Sequence, residues 1–309
     1  MSFLKPKFWD EKKISFLAIL LLPVSLLIKL LSFLKRLTTK SQSFSIPTIC
    51  VGNIYLGGTG KTPLCIEIFL LLKELNLKPV FIRKEYESYI DEVNLLKSIG
   101  PVYQNKKRAK AIENAIQNRA NIAILDDGYQ DFSINNNLSI ICFDEKKWIG
   151  NGLVIPAGPL RENISGLKRA NCVVINGDKN IQIEKKLFSI KKDIKIFYTE
   201  YITQNINEFK NKKIIVFSGI GNPENFLNLL IKNDISVLKE FKFPDHHNYS
   251  ENEMENLLKE SKNNNALLVT TEKDYYRLKD KYKKYIKYLK IKVKINNLNQ
   301  FVEEIKKII

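Results

Sequence analysis

Residues Gly57-Gly58-Thr59-Gly60-Lys61-Thr62 stand directly behind the apolar run Ile46-Pro-Thr-Ile-Cys-Val51. A strand feeding a glycine-rich turn that ends in Gly-Lys-Thr and opens a helix is a phosphate cradle, because the turn's N–H groups and the helix's positive end face the anion. In such a loop Lys61 reaches the β/γ-phosphates of a nucleoside triphosphate and the Thr62 hydroxyl ligates magnesium. The full pattern wants a glycine six residues before the lysine; here Tyr55 holds that place, with Gly52, Gly57 and Gly58 around it. Further on, Asn121-Ile-Ala-Ile-Leu125 runs into Asp126-Asp127-Gly128. Carboxylates at the C-terminal end of a strand beside a P-loop hold the metal or its waters, although Asp-Asp-Gly by itself is also an ordinary turn.

Positioning these groups takes alternating strands and helices. Apolar runs predict strands at 46–51, 79–82, 122–125, 138–143, 172–175, 194–198, 213–217, 235–239, 266–270 and 286–293, with helices at 61–76, 106–119, 223–232 and 250–261. The helix behind the P-loop is apolar at Leu64, Ile68, Leu71, Leu72 and Leu75, a helical period, with Pro63 tolerated in its first turn. This alternation predicts an α/β fold, P-loop NTPase-like, with a mostly parallel sheet flanked by helices. A polar stretch around Thr199 to Lys212 divides it into two lobes, 37–200 and 201–309, behind an N-terminal segment, 1–36. Asn222-Pro223 reads as a helix start, and Ser250 with Glu253 and Thr271 with Asp274 as capping boxes.

From Ile14 to Ile28 there is no charged residue, and lysines flank the run on both sides. Fifteen residues make roughly 22 Å of helix, short for a span. No small-x-small cleavage site follows, as a signal peptide would require. A buried core helix is the plain alternative. The favoured expectation is a membrane anchor, monotopic or single-helix, whose basic flanks meet anionic headgroups. Lys and Arg number 50 against 33 Asp and Glu, a formal net charge of +17. That excess points to anionic partners or to drift in a Lys- and Asn-rich chain. No nucleic-acid motif is present, so a lipid bilayer ranks above nucleic acid as partner. Cys50, Cys65, Cys142 and Cys172 lie singly, which excludes a C-x-x-C zinc or redox site and suggests buried thiols in a reducing compartment.

Six motifs in order carry a family resemblance: Val51-Gly-Asn-Ile with Gly57–Pro63, Asp126-Asp-Gly-Tyr-Gln130, Leu153-Val-Ile-Pro-Ala-Gly-Pro-Leu-Arg-Glu162, Phe217–Phe226, Phe243-Pro-Asp-His-His247 and Thr271-Glu-Lys-Asp274. From the anchor to about residue 280 the chain resembles the tetraacyldisaccharide 4′-kinases, the lipid A kinases. The resemblance implies a kinase at the cytoplasmic face of an inner membrane. It would transfer the γ-phosphate of ATP, with Mg2+, to the 4′-hydroxyl of a tetraacylated disaccharide 1-phosphate, yielding lipid IVA in lipid A biosynthesis. No obligate protein partner is expected. It also implies a catalytic Asp–His pair, matched here by Asp91 in Ile90-Asp-Glu-Val93 and by His246, with His247 beside it. Arg161 is implied to neutralise the migrating phosphoryl group and Glu162 to support magnesium alongside Thr62, Asp126 and Asp127, while Lys61 supplies electrostatic stabilisation.

Three positions depart from the family's pattern. Its Arg-Gly-Tyr-Gly stretch is Arg83-Lys-Glu-Tyr86 here, with a shortened connection to Asp91; Asp131 replaces a histidine after Asp-Asp-Gly-x-Gln; and Val93 replaces a proline. Two rivals follow from a P-loop alone. A membrane-bound regulatory ATPase would carry a second lysine where this chain has Leu56, and a GTPase switch would carry an Asn-Lys-x-Asp motif that does not occur.

Overall fold

The computed structural model describes residues 5–11, 13–85 and 90–309. Residues 1–4 and 12 of the expected anchor, and Tyr86 in the departing Arg83–Tyr86 stretch, lie outside the described residues. The chain makes two compact units. The larger consists of Lys5–Glu85, Gly100–Glu200 and Ile295–Ile309; the smaller consists of Tyr201–Lys294 with the described part of Tyr86–Ile99. Both units are built from segments on either side of residue 200. The segment before Gly100 joins the smaller unit because its helix packs there on the helix that follows Thr271. The C-terminal segment returns to the larger unit, where Phe301 meets Phe197 edge to face at 5.1 Å.

The chain begins with α1 (Phe16–Thr38), then β1 (Thr48–Gly52), α2 (Lys61–Glu74) and β2 (Pro79–Lys84). After α3 (Ile90–Lys97), which belongs to the smaller unit, come β3 (Val102–Asn105), α4 (Arg108–Gln117), β4 (Ile122–Asp126) and β5 (Leu138–Asp144). β6 (Cys172–Asn176), α5 (Ile181–Ile190) and β7 (Lys195–Thr203) complete this part. These strands lie in the order β7-β6-β5-β1-β4-β2-β3, parallel throughout. Parallel strands need crossover helices, and both faces are then covered, which is why β1, β4 and β5 read as unbroken apolar runs. Ala111, Ile112 and Ala115 of α4 join Val80, Ile82, Ala123 and Leu125 in the core. From α2, Phe69 stacks on Phe81 of β2 at 4.6 Å.

The smaller unit holds β8 (Ile214–Ser218), α6 (Pro223–Lys232), β9 (Val237–Lys242), α7 (Glu251–Asn263), β10 (Leu267–Thr271), α8 (Glu272–Arg277), α9 (Asp280–Lys283) and β11 (Ile286–Leu289). Its strands pair in parallel in the order β11-β10-β8-β9. Alternate residues of β8 face opposite ways: Ile214 and Val216 pack with Phe226 and Leu230 of α6, whereas Ile215 and Phe217 pack with Met254 and Leu257 of α7. A single strand over 286–293 is instead two, because Lys290 N–H leaves the ladder to bond Asn205 Oδ1. The second, β12 (Ile291–Ile295), leads into α10 (Leu298–Lys306). Ser250 and Glu253 form the expected capping box on α7, while Asn222 makes no side-chain bond to the helix it starts.

α1 is 23 residues long, about 34 Å at about 1.5 Å per residue, so by length and composition it could cross a membrane. It is not a core helix: Ala18 and Ser25 are its buried residues, while Phe16, Leu20, Leu27, Leu31 and Phe33 are exposed. Ser25 is hydrogen-bonded into the larger unit. Ser25 Oγ donates to Val154 O at 2.8 Å and accepts from Ala157 N–H at 3.0 Å. All four cysteines are buried and free, and burial pushes Cys50, Cys142 and Cys172 up to about 12.

Gly52 ends β1 where Tyr129 crosses it, and a Cβ there would lie 2.4 Å from Tyr129 Cβ. A Cβ atom cannot swing aside as a side-chain tip can. Gly52→Ala is expected to cost about 1–3 kcal/mol in urea unfolding through overpacking. An unchanged midpoint would mean that the 128–130 turn moves freely.

Candidate active site

β1 delivers the chain into the glycine-rich loop, and Lys61 and Thr62 open α2. Gly57 and Gly60 take φ values of 130° and 83°, conformations in which a side chain is strained. Asn53 is buried and ties the loop internally, its Nδ2 donating to Gly57 O at 3.2 Å and Thr59 Oγ1 at 3.0 Å. Tyr55 lies almost wholly inside the protein and bridges antiparallel to Leu160. Leu56 N–H donates to Pro159 O at 2.8 Å and Arg161 N–H to Ile54 O at 2.7 Å. The segment carrying Arg161 and Glu162 is therefore strapped along the phosphate loop.

Register brings the carboxylates to the same place, since Val51 of β1 stands opposite Asp126 of β4. Asp126 is buried; its Oδ2 accepts from Thr62 Oγ1 at 3.2 Å and lies 3.6 Å from Arg83 Nη1. Asp127 follows with φ 58°, a left-handed geometry that aspartate tolerates better than most residues. Its Oδ1 is 2.7 Å from Arg161 Nη1 and 3.7 Å from Lys61 Nζ. Burial alone would raise the Asp127 carboxyl, but the Lys61 and Arg161 charges outweigh it and hold it at about 2. Arg108 donates to Asp127 O at 2.6 Å and pairs with Asp131 at 3.1 Å, so the departing Asp131 anchors the arginine that braces Asp127.

Glu162 is turned to other partners. Arg169 Nη2 donates to both its oxygens at 2.9 Å, and Gln130 Nε2 donates to Oε1 at 3.0 Å. Gln130 Nε2 also reaches Asn53 O at 2.9 Å, which links Glu162 to the phosphate loop through Gln130. Among the described residues no three His, Cys, Asp or Glu side chains converge as a metal cage.

The smaller unit brings together Asp91 and His246, 155 positions apart in the chain. Asp91 Oδ2 is 3.4 Å from His246 Nδ1 and 2.6 Å from Arg277 Nη2. His246 sits at φ 58° in the loop before α7. His247 points elsewhere, to Glu253 at 3.0 Å, and stacks on Phe243. Two basic residues on α8 complete the cluster: Lys273, inside the Thr271–Asp274 helix start read from sequence, and Arg277, which the sequence reading did not single out. Lys273 Nζ is 2.9 Å from Glu92 Oε1 and 3.2 Å from His246 Nε2. Arg277 also donates to Asp274 Oδ1 at 3.0 Å, to Gly219 O at 3.3 Å and to His247 O at 3.0 Å. The i, i+4 spacing of Lys273 and Arg277 puts both on one face of a helix, the one trace of this pairing in the sequence.

Burial raises the Asp91 carboxyl, but His246, Lys273 and Arg277 more than compensate and bring it to about 2, below the unfolded value near 3.8. The ionised form is thus the one the fold stabilises. The contribution is complete above about pH 4 and vanishes as the pH falls through about 2, and its size is on the order of 2 kcal/mol. Asp91→Asn should therefore lose about that much stability at pH 7 in denaturant unfolding. The gap to the parent protein should close as the pH is lowered toward 2; a constant gap would contradict the ion-pair assignment.

The family model for tetraacyldisaccharide-1-P 4′-kinase matches residues 17–99 and 84–309. A tetraacyldisaccharide 4′-kinase of Pelagibacter ubique is 43% identical over 300 residues, spanning 96% of this chain and 95% of that protein. The Rickettsia bellii enzyme of the same name is 33% identical across 99% of this chain and 98% of its own length. Among solved structures, LpxK from Aquifex aeolicus superposes with a TM-score of 0.73 at 24% identity, covering 95% of this chain and 99% of that one, and so shares the fold. By matches that run the length of the sequence, this chain belongs to the tetraacyldisaccharide 4′-kinase family.

Proposed function

We propose that the protein transfers the γ-phosphate of ATP to the 4′-hydroxyl of a tetraacylated glucosamine disaccharide 1-phosphate, giving lipid IVA and ADP. The observation that carries this reading is the convergence of Lys61 and Arg161 on Asp127 at the start of α2. The names of the Pelagibacter and Rickettsia relatives supply the acceptor, and the Aquifex protein was crystallised in complex with ATP. A regulatory ATPase is not favoured: Leu56 stands where its second lysine would be, and these relatives are kinases by name.

In this reading the loop's N–H groups and the N-terminus of α2 bind the phosphates, with Lys61 at the β/γ-oxygens. Thr62 Oγ1 and Asp126 Oδ2, 3.2 Å apart, are oxygen donors of the kind magnesium takes, and Asp127 adds a carboxylate beside them. Two carboxylates and a hydroxyl suit an ion that keeps most of its ligands as water and phosphate oxygen. Bound there, it supplies neutralisation of charge on the phosphates. Arg161 is released from Asp127 to the γ-phosphoryl oxygens as charge builds on them, and Glu162 holds Gln130 and Arg169 in place. Asp91 takes the proton that leaves the 4′-hydroxyl, with His246 beside it as its pair partner.

The exposed apolar face of α1 and the surplus of positive charge suit an acceptor that stays in a bilayer, at the cytoplasmic face of an inner membrane where ATP is present. Purified protein in mixed micelles with Mg-ATP should label tetraacyldisaccharide 1-phosphate; nucleotide hydrolysis indifferent to that lipid would favour the regulatory ATPase. Lys61→Met should lower kcat by about 100- to 1,000-fold, the usual effect of removing one transition-state charge. Asp91→Ala should abolish transfer while ATP binding changes little. A combined Leu20→Glu, Leu27→Glu, Leu31→Glu variant, which leaves the Ser25 contact intact, should no longer sediment with anionic vesicles. Undiminished sedimentation would place the membrane contact on another surface.

A further inference from the structure

Around His246 lie three carboxylates and two cations. Asp91 and Glu92 come from α3, Asp245 from the adjoining loop, and Lys273 and Arg277 from α8. Lys273 is the hub: its Nζ is 2.9 Å from Glu92 Oε1, 3.8 Å from Asp245 Oδ1, 4.0 Å from Asp91 Oδ2 and 3.2 Å from His246 Nε2. Burial works to neutralise it, but the three carboxylates prevail and keep it an ammonium. An ammonium has donors and no acceptor. At hydrogen-bond distance from an imidazole nitrogen it can bond only to one that carries a lone pair.

Resting on the kinase reading of this site, we propose that Lys273 is a positioning residue that fixes the tautomer of His246. Nε2 is held unprotonated as acceptor from Lys273, and the ring's single proton is held on Nδ1, facing Asp91 Oδ2 at 3.4 Å. Glu92 and Asp245 lie 4.0 and 3.8 Å from Nε2, beyond hydrogen-bond reach, so they hold the ammonium and do not compete for a proton on Nε2. An imidazolium would set an N–H against the ammonium's N–H, an arrangement of two donors with no acceptor between them. The ring nitrogens are chemically distinct, and the partner of one decides the state of the other. Lys273 thereby presents Asp91 with a neutral donor at Nδ1, and leaves the Asp91 carboxylate ionised and aligned for the acceptor hydroxyl. Arg277, on the same oxygen of Asp91, fixes the carboxylate's orientation as Lys273 fixes the ring's.

The protein has two histidines, His246 and His247, so a 15N-histidine-labelled full-length sample in detergent gives a readable two-bond 1H–15N spectrum. His246→Gln assigns the signals. At pH 8 the parent protein should show His246 as the neutral Nδ1–H tautomer, whereas water ordinarily favours Nε2–H. An Nε2–H ring or an imidazolium at that pH overturns the proposal with no variant needed. Lys273→Met should move His246 toward the Nε2–H form and lower kcat at least tenfold, with KM for ATP within about twofold. Lys273→Arg should keep the Nδ1–H signature and recover most of the rate. A Lys273→Met spectrum unchanged at His246 would also overturn it. If Lys273→Met does not fold, the parent and Lys273→Arg spectra decide the matter. The spectra need no substrate, so a parent protein with the Nδ1–H signature and no lipid phosphorylation would support the Lys273 assignment while refuting the kinase reading.

Discussion

The larger unit depends on the parallel pairing of β4 against β1. Because both strands run the same way, the end of β1 that opens into the phosphate loop is also the end at which β4 sets down Asp126 and Asp127. Antiparallel pairing would have sent those carboxylates to the opposite edge of the sheet. Two partly or wholly buried carboxylates side by side are costly unless each is matched by positive charge or hydrogen bonds. Thr62 and Arg83 answer Asp126; Lys61 and Arg161 answer Asp127. The groups proposed to meet a metal and a polyphosphate thus hold one another in place.

In the smaller unit the corresponding constraint is Asp274. Fully buried, it accepts from Gly219 N–H, Thr271 Oγ1, Tyr249 OH and Arg277. Arg277 then spans from Asp274 to Asp91, so the carboxylate proposed for catalysis is bound into a network whose base lies in the sheet. Removing one member of such a network leaves a buried charge uncompensated, which costs far more than the net worth of the pair it belonged to. Both Asp127 and His246 are non-glycine residues held at left-handed φ by this kind of surrounding structure, as is common where side chains must be aimed.

Much of the fold was legible because parallel strands buried on both faces are apolar along their whole length. β1, β4, β5, β6 and β8 lie within a residue or two of the apolar runs that predict them. β3, with the sequence Val-Tyr-Gln-Asn, was not legible: it is four residues long, half-buried and at the edge of its sheet. α3 was missed because it is only eight residues long, whereas α10 carries Leu298, Phe301, Val302 and Ile305 at helical spacing, a signal in the sequence that was not read. The glycine-rich loop and Asp126-Asp127 lie at one end of the paired strands β1 and β4, where local spacing after two apolar runs places them. Glu162, next to Arg161 in sequence, is bound to Arg169 and Gln130 in space, partners that spacing along the chain does not record.

By itself the sequence determined the elements that are local in chain order: a strand, a glycine turn, Lys61 and Thr62 at a helix start, an acidic strand end, and an apolar N-terminal helix. Backbone conformation and helix polarity act over a few residues, so spacing alone specifies such features. The tertiary structure alone decided which charges meet. Asp91 and His246 come together, and Lys273 and Arg277 prove to belong with them, because α3, the loop before α7 and α8 fold into one unit from distant parts of the chain. An ion pair's partner is set by distances of a few ångströms across packed elements, and no periodicity along the chain records those distances.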